Sequence, residues 1–112
     1  MIVSNIEELR LVTILERGVA NKECISIRVN QYTRLGQFGI MIGRYSENGT
    51  FPFTDNLFWF GHNQVKPDDW IFIYTGSGPP RQSKDKGSDI YTVFWGKQNK
   101  TFAENQIVSL LF

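Results

Sequence analysis

Three segments of this chain are apolar, or nearly so, on both faces of any strand they form. They are Leu57-Phe58-Trp59-Phe60, Trp70-Ile71-Phe72-Ile73-Tyr74 and Tyr91-Thr92-Val93-Phe94-Trp95. A strand with one solvated face alternates apolar and polar side chains, because successive residues point to opposite sides. A two-layer sandwich covers only one face of each sheet. The second face of these strands must therefore be covered by the N-terminal segment or a loop, or stay open as a contact surface. Tyr and Trp suit such a surface, since they combine apolar area with a hydrogen-bonding tip. The candidate contact residues are Phe58, Trp59, Phe60, Trp70, Phe72, Tyr74 and Trp95. The competing reading makes the same rings part of an intramolecular core.

Elsewhere the apolar residues recur with period two, punctuated by Gly, Pro, Asn or Asp, which is the pattern of an all-β domain. Strands are expected over residues 9–16, 24–29, 37–45, 56–61, 69–75, 90–96 and 106–112. The first is contested by a capping-box pattern, Ser4-Asn5-Ile6-Glu7, that could start a helix. The β-branched run Val12-Thr13-Ile14 favours strand. Asn48-Gly49 marks a tight hairpin turn, and Pro67 presets another.

Seven short strands in 112 residues predict an immunoglobulin-like antiparallel two-sheet sandwich in a single domain, 1–112. A five-stranded barrel with extensions is the competing architecture. Residues 1–8 form an N-terminal extension in this reading, and 76–89 a long flexible loop. Arg81, Lys84 and Lys86 in that loop are candidates for meeting an acidic partner.

Composition narrows the function. Aromatic residues make up 14% of the chain and charged residues 21%, so a disordered or collagen-like chain is excluded. Twelve basic against eleven acidic residues, spread evenly over both halves, give no polyanion-binding excess. Cys24 is the lone cysteine, so no intrachain disulfide forms and packing alone must hold the sheets together. The N-terminal residues show no signal-peptide pattern, and no segment reaches the length of a membrane helix. A cytoplasmic location is the simplest expectation, and on it the Asn48 and Asn99 glycosylation patterns are chance matches.

Several short motifs resemble lamin-tail domains. Leu15-Glu16-Arg17-Gly18-Val19-Ala20-Asn21-Lys22-Glu23-Cys24-Ile25-Ser26-Ile27 is similar to their opening, where an Asn-containing loop leads to an acidic residue and an apolar strand. Leu35-Gly36-Gln37-Phe38-Gly39-Ile40 falls where those domains place a Leu-Ser-Gly-Trp-type strand. Val65 to Gly76 resembles their Pro-Gly-Asp segment, with Asp68 standing in place of the usual glycine. Trp95-Gly96 and Ile107 to Leu111 correspond to the last strand pair. The resemblance implies an immunoglobulin-like sandwich and a non-catalytic module that contacts proteins and sometimes nucleic acid.

Catalytic chemistry finds little material. His62 and Cys24 are the only residues for a nucleophilic dyad, and Cys24 sits in an alternating strand where a small hydrophobe is ordinary packing. One His and one Cys cannot build a zinc site. Asp68-Asp69, with Asp55 or Glu47, offers oxygen ligands but reads more simply as turn chemistry. Gly76-Ser77-Gly78-Pro79-Pro80 lacks the donors and the following helix of a phosphate cradle. The expectation is a protein-interaction or assembly module without catalysis or cofactor, bound to a partner protein or to copies of itself. The alternative is a nucleic-acid-binding domain that stacks bases on these rings, with Arg28, Arg44, Lys97, Lys100 and the basic loop on the backbone. An enzyme using His62 and Asp69 is a distant third.

Overall fold

The computed structural model describes residues 6–46, 49–61, 63–97, 102 and 107–111. His62, Lys100, Asn48, Asn99 and the first part of the capping-box pattern lie outside the described residues.

Among the described residues ten strands form in chain order, all but two of them in two larger sheets. They are β1 (Leu9–Leu15), β2 (Cys24–Val29), β3 (Thr33–Arg34), β4 (Gly39–Ser46), β5 (Gly49–Trp59), β6 (Gln64–Val65), β7 (Trp70–Tyr74), β8 (Arg81–Asp85), β9 (Ser88–Phe94) and β10 (Ile107–Leu111). A 3₁₀ turn at Leu35–Gln37 links β3 to β4. The five-stranded sheet runs β1-β2-β7-β9-β8, the three-stranded sheet β10-β4-β5, and β3 pairs with β6. The chain is all-β, as its alternation predicts, and the first segment is strand rather than helix.

Among the described residues pairing is antiparallel except between β7 and β9, which run parallel in register Trp70↔Ile90 to Tyr74↔Phe94. This corrects the expectation of wholly antiparallel sheets. After β7 the chain crosses to the edge position and lays down β8. A two-residue turn then returns β9 into the gap, beside β7 and pointing the same way. Backbone bonds from Trp95, Gly96 and Lys97 to Tyr74, Gly76 and Thr75 carry that alignment beyond Phe94.

The same turn corrects the reading of 76–89 as one flexible loop. Lys86 and Gly87 both have positive φ, 52° and 87°. That is the turn geometry whose twist matches paired strands. A lysine in the first of these positions gives no hairpin signature in sequence. Arg81–Asp85 also lacks apolar alternation, because all five of its residues are exposed. What remains of the loop is the short crossover. Gly78 lies against the Phe94 ring there, 2.7 Å from where a Cβ would stand, so a larger residue would push the crossover off the sheet.

The core sits between the inner faces of the two larger sheets. Ile25, Ile27, Val29, Ile71 and Ile73 of the five-stranded sheet share one buried cluster with Ile40 and Ile42 of β4 and with Leu35, Phe60, Val65 and Phe102. Leu11, Ile14, Tyr91, Val93, Phe58 and Trp95 pack around it. Two irregularities fit the strands to this core: a register shift in β1 near Val12, and one between Met41 and Gly43 opposite β5.

Candidate interaction surface

Strand register divides the aromatic residues between two faces. Along β7, Ile71 and Ile73 are buried towards the core, while Trp70, Phe72 and Tyr74 alternate with them and are half-buried on the opposite face. Cross-strand pairing places Ile90, Thr92 and Phe94 of β9 on that outer face, and Arg28, Ser26 and Cys24 of β2. Arg10 of β1 and Arg81 of β8 extend the rows to either edge. The small side chains Cys24, Ser26 and Thr92 are buried on this face, so the rings around them are its relief.

These rings are ordered by contact with one another. Trp70 stacks on Phe72 with centroids 5.9 Å apart and planes 10° from parallel. Tyr74 stacks on Phe94 at 5.3 Å and 20°. The Arg28 guanidinium lies over Trp70, 5.9 Å from the centroid, and pairs with Asp68 at 2.8 Å. The outcome is a stripe of aromatic edges bordered by Arg10, Arg28 and Arg81. Five strands about 4.8 Å apart and five residues deep make a face of about 300 Å² in projection.

The seven aromatic residues singled out by sequence thus separate. Trp70, Phe72 and Tyr74 come together on the outer face. Phe60 is buried in the core, and Phe58 and Trp95 pack against it and against each other at 5.3 Å, so these three corrections follow from strand register. Trp59 is 53% exposed but sits on β5, apart from the stripe, with its indole N–H donating to Gly36 O at 3.0 Å. Arg81, Lys84 and Lys86 are all exposed on or beside β8. Phe94 and Ile90 also belong to the outer face, which the apolar run of β9 does not reveal without its register.

No protein-family model, curated protein or solved structure matches this chain.

Two buried carboxylate clusters pin the sheet that carries the surface. Glu23, fully buried just before β2, accepts hydrogen bonds from Gly18 N (2.9 Å), Phe102 N (2.5 Å) and Thr75 Oγ1 (3.0 Å). One side chain therefore ties together the β1–β2 connection, the end of β7 and the approach to β10. Asn21 and Glu16 hold positive φ in that connection, 64° and 54°.

At the opposite end of β7, the fully buried Asp69 accepts from Lys66 Nζ (2.6 Å), Lys66 N and Asp89 N (both 3.0 Å). Lys66 Nζ also bonds Asp89 Oδ2 at 3.0 Å, and Lys84 Nζ lies 3.7 Å from Asp89 Oδ1. Burial pushes the Asp69 carboxyl up, but the bonds from Lys66 and Asp89 outweigh it and leave the group below its ordinary range. The Lys66 hydrogen bond lowers Asp89 in the same way, and the two carboxylates raise Lys66.

In this second cluster the Asp69 carboxylate is a structural acceptor. Its oxygens are committed to Lys66 and to the start of β9, and Asp68 is turned to Arg28. Among the described residues no three His, Cys, Asp or Glu groups lie together as metal ligands would. Cys24 is buried and its thiol is pushed up to about 11 by burial, so it has little thiolate to react with. No described helix is long and apolar enough to cross a membrane.

Proposed function

We propose that this chain is a non-catalytic protein-interaction module, an immunoglobulin-like sandwich of lamin-tail type that acts in the cytoplasm. Its contact surface is the outer face of the five-stranded sheet. The observation that carries this reading is the stripe of Trp70, Phe72, Tyr74 and Phe94, half-buried on the side of the sheet away from the core. The partner it fits is a protein surface apolar at its centre, with carboxylates placed to meet Arg10 and Arg81. Two local features support the lamin-tail likeness. Asp68 has φ 71°, the conformation that a glycine would adopt at that position of the Pro-Gly-Asp segment. Glu23, the acidic residue at the end of the Asn-containing loop, organises three segments rather than a ligand.

Base stacking is disfavoured by the same geometry. A ring platform for single-stranded nucleic acid presents open ring faces, whereas Trp70 already has Phe72 and the Arg28 guanidinium against its own. The test is Phe72→Ser, which removes an outer-face ring and leaves the core row Ile71 and Ile73 intact. In protein confirmed as folded, loss of a central aromatic anchor lowers partner or self-association affinity at least about tenfold. Unchanged association in that variant, with loss in a folded Trp59→Ala variant, overturns the assignment of the surface.

A further inference from the structure

Beyond the aromatic face, the geometry points to a second contact element on the same domain: the free edge of β8, which captures an extended acidic segment of a partner by adding it as a sixth strand. The inference rests on the interaction-module reading but concerns a different part of the surface. β8 ends the sheet order, with no strand on its outer side among the described residues. Its five residues, about 17 Å of backbone, are all exposed. An unpaired edge of that length is a template for another chain, and main-chain bonding there supplies affinity with little demand on sequence.

Charge selects the occupant. Residues 81–86 place Arg81, Lys84 and Lys86 against the single carboxylate of Asp85, with Lys84 also reaching back to Asp89 at 3.7 Å. A second copy added antiparallel about Ser83 would match Arg81 with Asp85 but would give Lys84 only Gln82 and Lys86 no carboxylate at all. An incoming strand rich in Glu or Asp meets them favourably instead, and places carboxylates beside the hairpin turn. Specificity has a pocket to draw on. A cavity of about 260 Å³ opens beside Gln82, walled by Leu35, Phe60, Tyr91 and Val93. Gln82 pairs with Tyr91, so the cavity lies on the core side of the β8 row. It has the apolar walls to take one aliphatic side chain from an added strand, while the alternate carboxylates face Arg81.

The probe is a blocked nonapeptide that alternates glutamate with valine and has leucine at its centre. It is titrated into the isotope-labelled domain at low salt, with backbone amide shifts as the readout. Shifts concentrated on residues 81–85 and around Leu35 and Phe60 are expected. Methylating alternate peptide nitrogens should weaken binding at least tenfold, because it removes the ladder donors and leaves charge unchanged. Replacing the glutamates by lysines, or Arg81 by glutamine, should each weaken it at least fivefold. Binding that is indifferent to peptide N-methylation, no binding at all, or a thymidine oligonucleotide that shifts the β8 amides more tightly would each overturn the proposal. Shifts confined to Trp70, Phe72 and Tyr74 would also overturn it, while leaving the aromatic-face reading in place.

Discussion

Glu23→Ala should lower the stability of the domain by about 3–5 kcal/mol, enough to unfold much of it at ambient temperature. The carboxylate accepts from three donors that belong to separate parts of the chain, Gly18 N, Thr75 Oγ1 and Phe102 N. Thr75 and Phe102 are fully buried and Gly18 partly so, and truncation leaves their donors without an acceptor. It also opens a void in an interior whose packing tolerates few of them. Glu23→Gln separates the two contributions. It preserves volume but turns an N–H₂ towards donors, so about 2–3 kcal/mol is expected from hydrogen bonding alone. Urea denaturation measures both, and a change below about 1 kcal/mol in Glu23→Ala would show that the clamp is not structural.

Asp69→Asn should be the second most damaging single change, at about 2–4 kcal/mol. It removes the charge that Lys66 Nζ meets at 2.6 Å and offers an amide to the Lys66 and Asp89 N–H groups. Lys66 keeps part of its exposure and its bond to Asp89, which holds the effect below that of a fully buried pair. The same cluster sets the acid limit of the fold. Asp69 and Asp89 titrate below their ordinary value of 3.8 when folded. Their contribution is therefore complete above that pH and is lost as the pH falls through the folded values. Lys66 is raised above 10.5, so its contribution is complete below that pH and is lost only as the pH rises through its folded value. The urea midpoint of the native protein should be flat between about pH 5 and 9 and fall below about pH 4. In Asp69→Asn the acid fall should be shallower, and an unchanged slope would remove Asp69 from the account.

How much of this was legible in the sequence depends on the scale of the interaction. Local alternation exposes β1, β2 and β7 almost to the residue, since each strand's own side chains carry the period. β8 has no apolar side to alternate, and its turn uses Lys86 where a hairpin signature has Asn or Asp, so its sequence carries the marks of a loop. The parallel β7–β9 pair depends on β9 returning into a gap between β7 and β8, a relation no local window contains. Apolar character on both faces marks Trp70, Phe72 and Tyr74, which the structure brings together on the outer face. It could not separate them from Phe58, Phe60 and Trp95, because only register says which side of a sheet a ring occupies. Glu23 had one signal, an acidic residue directly before a strand whose first four residues are all buried. Its partners at residues 75 and 102 are too distant in sequence to be read from it.

The central claim is that the outer face of the five-stranded sheet, and not the β5 side of the domain, meets another protein. Site-specific photo-crosslinking addresses it directly, with benzoylphenylalanine placed at position 72 in one sample and position 59 in another. Both positions carry an aromatic residue with solvent access, on different sheets. Covalent protein adducts from position 72, and none from position 59, are the expected result. Adducts from position 59 with none from position 72, or adducts from position 72 with nucleic acid alone, would contradict the account.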